Sequence, residues 1–343
     1  MSPRDRLLAG LVALIWGVNF LAIHAAVEHF PPLFAGALRF LVIAIPTLLL
    51  VPRPPVRLRW LLGYGLGFGT FQFAFLFVGM DLGMPAGLAS LVLQACAPFT
   101  VLLGALLLRE PVTARQLAGV GLAVAGMVAI GWQRAEHAAL PPVVLTVLAA
   151  LSWAVGNLCS RQALSPAQAP RPGDRANPLH LTLWMSVVPP VPLFTLSLLF
   201  EGPAAQWASL ATLDTATGWW GLAGLGYVVL IGTIAGSGIW TTLLRRNPAG
   251  VVAPFALLVP VVGMSLAFVL LGERPTVVEL AAAMAVVTGV LVGTWSPAQA
   301  SPGGSRRFRR VRRATSTATA TPATAASANQ DNRDNQASTT TPR

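Results

Sequence analysis

Apolar residues run along this chain in blocks of 17 to 25, each long enough to cross a bilayer as a helix. Short turns rich in Pro, Gly, Arg or acidic residues separate them. The pattern predicts ten spans at about 7–27, 33–51, 61–80, 85–108, 116–132, 143–161, 179–200, 219–244, 249–271 and 277–296. The fold class is therefore an all-α polytopic membrane protein.

The pattern also repeats. Moving the first half forward by 163 residues lays Gly63-Tyr64 on Gly226-Tyr227, Gly69-Thr70 on Gly232-Thr233, and Pro85-Ala86-Gly87 on Pro248-Ala249-Gly250. The same shift lays Glu110 on Glu273, Gly126 on Gly289 and Trp132 on Trp295. Upstream, Pro32-Leu33 falls on Pro178-Leu179 and Pro46 on Pro192, a shift of 146. Ala13, Leu14 and Trp16 fall on Ala150, Leu151 and Trp153, a shift of 137. Two repeats of five spans follow. An odd number of crossings turns the second repeat upside down, giving inverted five-helix repeats. Such repeats, with Pro- and Gly-interrupted helices at matching places, point to a transporter with its site between the halves. The expected division is 1–132 and 143–296 for the repeats, 133–142 for the loop between them, and 297–343 for a tail.

Two stretches carry this argument. Gly83 to Pro98 opens on Pro85 and Gly87, holds an amide at Gln94 and meets a second proline at Pro98. Its partner opens at Asn247-Pro-Ala-Gly250 and passes Pro254 and Pro260. A proline inside a membrane helix frees a backbone carbonyl where no water replaces the lost bond. Both stretches suit helices that face a cavity.

Composition agrees. Of 343 residues, 55% are hydrophobic and only 10% charged, against about 25% in soluble domains. The net charge of +11 comes entirely from arginine, and eight of the 23 basic residues lie beyond residue 300. Most others sit in loops 52–60, 109–115, 162–178 and 245–248, which places these loops and both termini in the cytoplasm. The expected location is the plasma (inner) membrane. The tail begins with Arg306, Arg307, Arg309, Arg310, Arg312 and Arg313 and continues in Thr, Ala, Ser, Asn and Gln. It reads as disordered, with the arginine cluster on the anionic inner leaflet rather than on nucleic acid. Cys96 and Cys159 have no metal or redox spacing.

Signatures of enzyme chemistry are absent. There is no P-loop, G-x-S-x-G or H-E-x-x-H, and His24, His29, His137 and His180 are scattered. No cofactor is expected. A lipid-modifying membrane enzyme would need an acidic or histidine cluster at one face. The polar residues within the spans instead describe an uncharged, partly aromatic lining. Trp16, Asn19, Phe20 and Ile23 share one face of span 1. Asn19 serves either as glue between helices or as a hydrogen-bond partner of substrate. Trp153 and Asn157 repeat the theme in span 6. Span 3 carries Tyr64, Phe68, Phe71, Gln72 and Phe75 on a broad face, and its counterpart, span 8, carries Tyr227, Thr233, Ser237 and Trp240. Ser90 and Gln94 share a face of span 4. The candidate substrate-binding set is Trp16, Asn19, Tyr64, Gln72, Gln94, Asn157 and Trp240. Such a lining suits a small zwitterion or polar metabolite better than a metal ion.

Charged groups near the membrane leave alternatives open. Arg39 lies inside span 2, where an arginine at the bilayer centre costs about 2.5–3.5 kcal/mol. It snorkels outward, pairs with an acid such as Glu28, or meets a substrate carboxylate. Glu110 and Glu273 close matching spans and read as boundary caps or partners of Arg109, Arg115 or Arg274.

Trp16-Gly-Val-Asn-Phe20, Pro31-Pro-Leu33, Leu38-Arg-Phe40 and the two boundary glutamates resemble the EamA family of the drug/metabolite transporter superfamily. Within it, Gln72-Phe-Ala-Phe-Leu-Phe77, the Gly83–Gln94 stretch, Gly238-Ile-Trp240 and Leu258-Val-Pro-Val-Val-Gly263 look like the exporters of O-acetylserine and cysteine. The resemblance spans about residues 5–296 and excludes the tail. It implies ten helices, a cavity built mainly from spans 1, 3, 4, 6, 8 and 9, and efflux of small metabolites. Import, or broad drug efflux on the same fold, remains open. Cys96-Ala-Pro98 departs from the resemblance by its proline.

Overall fold

The computed structural model describes residues 1–135, 140–171, 173, 176–247 and 252–294. Within them the chain is helical throughout, without a strand. Seven helical stretches are long and apolar enough to cross a membrane: Pro3–Val27, Pro32–Leu50, Leu58–Asp81, Ala86–Leu108, Leu140–Leu164, Pro178–Phe200 and Ala216–Leu243. Three shorter apolar helices, Ala114–Ala129, Phe255–Leu271 and Val277–Val292, complete ten. They are called spans 1 to 10 in chain order. The Arg-rich tail lies outside the described residues.

Helix starts follow local chemistry. Ser2 accepts from the Asp5 amide at 3.1 Å and Pro3 follows it; Thr215 caps span 8 through the Gly218 amide at 3.1 Å. At span 10, Thr276 and Glu279 bond each other's amides at 2.9 and 3.2 Å, a capping box. Glu279 is thus buried in a structural role at the helix start.

Packing between helices has the symmetry that the sequence repeat predicts. Span 1 packs against spans 8 and 9, and span 6 against spans 3 and 4. Spans 4 and 9, 2 and 7, and 5 and 10 pair with each other. Exchanging each span for the one five places on leaves this set unchanged. Backbone details obey the same exchange. Spans 4 and 9 each end on a left-handed residue, Arg109 at φ 54° and Gly272 at φ 68°, which the 163-residue shift superposes.

Regular α-helix fails at equivalent levels too. Span 3 widens into π-helical turns at Gly65–Phe71 and span 8 at Tyr227–Ala235. Thr70 and Thr233 superpose under the shift, and each hydroxyl donates five residues back, to the Gly65 carbonyl at 3.4 Å and the Val228 carbonyl at 2.8 Å. Span 4 tightens to a 3₁₀ turn at Leu93–Ala95, and span 9 opens with one at Ala253–Leu257.

Three features differ from the periodicity reading. Span 7 is broken between Met185 and Pro190, because Pro189 and Pro190 withdraw successive donors. The expected loop after it holds a helix, Gly202–Ala211, with Trp207 exposed. Trp219 and Trp220 are exposed nearby at the start of span 8, as aromatic belts are. The supposed face of span 3 divides. Tyr64 is buried and packs on Phe68 at 5.5 Å, while Phe71 is exposed and stacks on Phe75 at 6.1 Å. Wider turns rotate residues beyond 70 relative to a 3.6-residue count.

Candidate functional site

Spans 4 and 9 meet where both lose regular helix. Proline at position 260 has no amide to offer the carbonyl four residues back, Ala256. That carbonyl accepts instead from the Gln94 side chain, whose Nε2 donates to it at 3.1 Å. The amide that looked out of place in an apolar helix therefore repairs the opposite helix. Around this point, Ser90 is buried and donates to the Gly87 carbonyl at 2.6 Å. A Cβ at Gly263 would stand 2.7 Å from its hydroxyl oxygen. Only glycine allows span 9 to pass this close to span 4.

Trp16, Asn19 and Trp240 come together where spans 1 and 8 cross. Trp16 donates from Nε1 to the Gly232 carbonyl at 3.0 Å, and its ring lies 5.2 Å from that of Trp240. Tyr227 donates to the Ile15 carbonyl at 3.1 Å. Asn19 lies against Gly232, where a Cβ would collide with its Oδ1. That Oδ1 is buried and has no hydrogen-bond partner.

The symmetry-related crossing holds Tyr64, Phe68, Trp153 and Asn157. Phe68 meets Trp153 edge-on at 5.7 Å. Gly156 and Gly67 let spans 6 and 3 touch backbone to backbone, since a Cβ at Gly67 would lie 2.8 Å from the Gly156 nitrogen. Asn157 donates to the Thr100 hydroxyl at 3.3 Å, which donates to the Cys96 carbonyl at 2.6 Å. Gln72, one turn beyond Phe68, is buried with its Oε1 unpartnered.

Six of the seven candidate residues thus fall into two crossings and one bridge. Trp16, Asn19 and Trp240 form the first crossing, Tyr64 and Asn157 belong to the second, and Gln94 spans the seam between spans 4 and 9. Gln72 is the seventh, and among the described residues no hydrogen bond or ring contact joins it to either crossing. Sequence reasoning passed over Thr100, the Ala256 carbonyl and Gly232. Pro260 carries the signal for Ala256, because the orphaned carbonyl is always four residues upstream.

Arg39 does not snorkel. It is 5% exposed, its guanidinium lies 3.7 Å from the Phe73 ring centre, and Nη2 donates to Thr233 Oγ1 at 2.9 Å. Glu28, one of its expected partners, pairs with His24 at 3.3 Å. The boundary glutamates also choose other partners than adjacent arginines. Glu273 accepts from the Ala86 and Gly87 amides at 2.7 and 3.0 Å, capping span 4 from span 9. Glu110 pairs with Arg161 of span 6 at 2.9 Å. Among the described residues no group of His, Cys, Asp and Glu could hold a metal ion, and both cysteines are free.

Comparison with known proteins gives a consistent result. The model of the EamA-like transporter family matches twice, over residues 6–132 and 140–295. A protein of Escherichia coli K12 named "Probable amino-acid metabolite efflux pump" is 41% identical over 86% of this chain and 96% of its own length. Its namesake in Salmonella typhimurium is 42% identical over the same shares. An uncharacterized transporter of Bacillus subtilis, YoaV, is 22% identical over 83% of the chain and 94% of its own. A solved structure titled "Crystal structure of protein" shares the fold, with a TM-score of 0.54 at 20% identity over 86% of this chain and 97% of that one.

Proposed function

The chain belongs to the EamA-like transporter family, and we propose on that premise that it exports small amino-acid metabolites of the cysteine and O-acetylserine class across the plasma membrane by alternating access. The observation that carries the reading is the seam between spans 4 and 9. Both helices interrupt regular hydrogen bonding at equivalent levels, and one uncharged side chain, Gln94, joins them there. A helix with a missing backbone bond bends at low cost. Two such helices at the centre of an exchange-symmetric bundle let one half rock against the other around a midplane site. The absence of a P-loop leaves no direct use of ATP.

In this reading, residues 1–132 and 143–296 are the two moving repeats. The arginine distribution supports a cytoplasmic side for both termini. Trp16, Asn19, Tyr64, Gln72, Asn157 and Trp240 line the path, with Gln94 coupling the halves. The relatives named as amino-acid metabolite efflux pumps support the cargo class.

The test is uptake of labelled O-acetylserine, cysteine and a dye cation into everted vesicles. The reading expects accumulation of the first two and none of the dye. Gln94→Leu and Asn19→Leu are expected to insert normally yet lose uptake. Dye transport alone would favour a drug pump, accumulation only in right-side-out vesicles would favour an importer, and unimpaired uptake by both variants would remove these residues from the path.

A further inference from the structure

We propose that Arg39 is the anchor for the α-carboxylate of the transported amino acid, held between spans 2, 3 and 8. The proposal rests on the amino-acid cargo argued above and names the group that recognises it.

Arg39 sits seven residues into span 2, about 10 Å from the helix start at 1.5 Å per residue. That depth lies within the hydrocarbon region of a bilayer about 30 Å thick. Its side chain is enclosed, with 5% exposure. Of its three nitrogens, only Nη2 has a partner, the Thr233 hydroxyl at 2.9 Å. Nε and Nη1 are buried without one. The Phe73 ring at 3.7 Å and the Phe40 ring at 5.0 Å attract the cation through their faces but accept no strong hydrogen bond. Among the described residues no carboxylate forms an ion pair with it. A guanidinium presents five N–H donors in a planar fork. A carboxylate is the group whose two oxygens fit that fork.

A structural role does not account for this arrangement. A buried arginine kept for packing would have its donors satisfied, because an unpaired charge is the costly case. The repeat supplies a direct comparison. The shift that lays Pro32 on Pro178 and Pro46 on Pro192 lays Arg39 on Met185. Met185 is buried, and its sulfur would lie 3.1 Å from a Cβ at Gly69, the equivalent of Gly232. The same niche in the second repeat is therefore filled by an uncharged thioether of similar length. Packing needs no cation there. The charge is specific to one half.

The neighbours fit the rest of an amino acid. Arg39 and Asn19 approach consecutive residues of the π-helical turns of span 8, Thr233 and Gly232. Asn19 Oδ1 is a buried acceptor without a donor. An α-ammonium group, which only donates, complements it as the carboxylate complements Arg39. The two orphaned groups have opposite hydrogen-bonding character, as the two ends of a zwitterion require. Because the niche is enclosed, cargo enters it only when span 8 moves away from span 2. Those wide turns allow this.

The experiment compares L-cysteine, its methyl ester and cysteamine, all kept reduced, on wild type, Arg39→Met, Arg39→Lys and Arg39→Gln. Arg39→Met copies the second repeat and is the variant expected to fold. Two readouts are taken: thermal stabilisation of purified protein in detergent, and counterflow in proteoliposomes. In wild type, cysteine is expected to stabilise and exchange, while the ester and the amine do so about tenfold more weakly or worse. Arg39→Met is expected to bring acid and ester to parity, and Arg39→Lys to keep part of the preference through its charge. Equal responses to acid and ester in wild type would overturn the proposal, as would a preference unchanged in Arg39→Met or no stabilisation by the acid at all. Stabilisation by the acid without counterflow would leave the anchor standing and remove the export reading instead.

Discussion

At the scale of single residues, the two repeats place different side chains at equivalent backbone positions. Arg109 is the one non-glycine residue with positive φ among those described. Its counterpart is Gly272, so the first repeat carries a left-handed cap without the residue that suits it. An L-residue in that conformation costs roughly 1–2 kcal/mol relative to glycine. Arg109→Gly is therefore expected to stabilise the protein by about 1 kcal/mol, seen as a higher melting temperature in detergent. An unchanged or lower value would mean that the arginine side chain returns that energy through contacts of its own. Gly232 illustrates the opposite constraint. Gly232→Ala drives a methyl into Asn19 Oδ1, and overpacking of this kind costs about 1–3 kcal/mol. Shortening the obstacle should relieve it, so Gly232→Ala with Asn19→Ala is expected to be more stable than Gly232→Ala alone. Additive losses would show that the clash is resolved elsewhere.

At the scale of elements, the link between Gln94 and Pro260 makes a quantitative prediction. Gln94→Leu takes from the half-buried Ala256 carbonyl its side-chain donor, a loss of about 1 kcal/mol. Pro260→Ala restores an amide within reach of that carbonyl and removes the need for the glutamine. The cost of Gln94→Leu should then shrink to near zero in the Pro260→Ala background, with a coupling energy of about 1 kcal/mol in a double-mutant cycle. Equal costs in both backgrounds would break the link. This pair also shows how far the sequence could be read. Proline, glycine and an intramembrane amide marked spans 4 and 9 as the unusual helices, because each violates a rule that lipid enforces. Their meeting point was not legible, since no periodicity reports which carbonyl a side chain will reach. The π-helical turns left no signal either. The two segments are almost wholly apolar in sequence, so a change from 3.6 residues per turn alters no hydrophobic pattern, and the face containing Phe71 divides for that reason. The fate of Arg39 was equally hidden, because depth in a span does not say whether a long side chain turns toward lipid or toward a neighbour.

At the scale of the whole molecule, symmetry in the backbone contrasts with asymmetry in the charges that hold it. Two carboxylates from the second repeat cap helices of the first. Glu201 accepts from the Leu33 and Phe34 amides at 2.6 and 3.1 Å, and Glu273 accepts from the Ala86 and Gly87 amides. Helix N-termini carry partial positive charge, so each carboxylate satisfies amides and dipole together. Both contacts lie at the face where spans 2 and 4 begin. The equivalent of Glu273 in the first repeat, Glu110, pairs instead with Arg161 at 47% and 49% side-chain exposure. Exposed pairs of this kind are worth about 0–1 kcal/mol, whereas carboxylate caps on partly buried amides reach about 2 kcal/mol. One face is thus held by the stronger pair of contacts, and both cross between the repeats. Alternating access requires such contacts to release when the halves rock. Replacing Glu201 and Glu273 together by Gln keeps hydrogen-bond acceptors but removes the charges, and should shift the population toward forms open at this face. Met84, 2% exposed beside the capped amides, reports on it. In a background with Cys96 and Cys159 replaced by Ala, Met84→Cys is expected to react slowly with a membrane-impermeant maleimide, and several-fold faster once both glutamates are neutralised. On the proposed reading, O-acetylserine, which has no thiol to consume the reagent, should raise the slow rate without any change at the glutamates, because cargo would drive the same motion. Labelling that ignores both the charges and the cargo would show that this face stays closed for reasons other than the two caps, and that the rocking of the repeats does not pass through it.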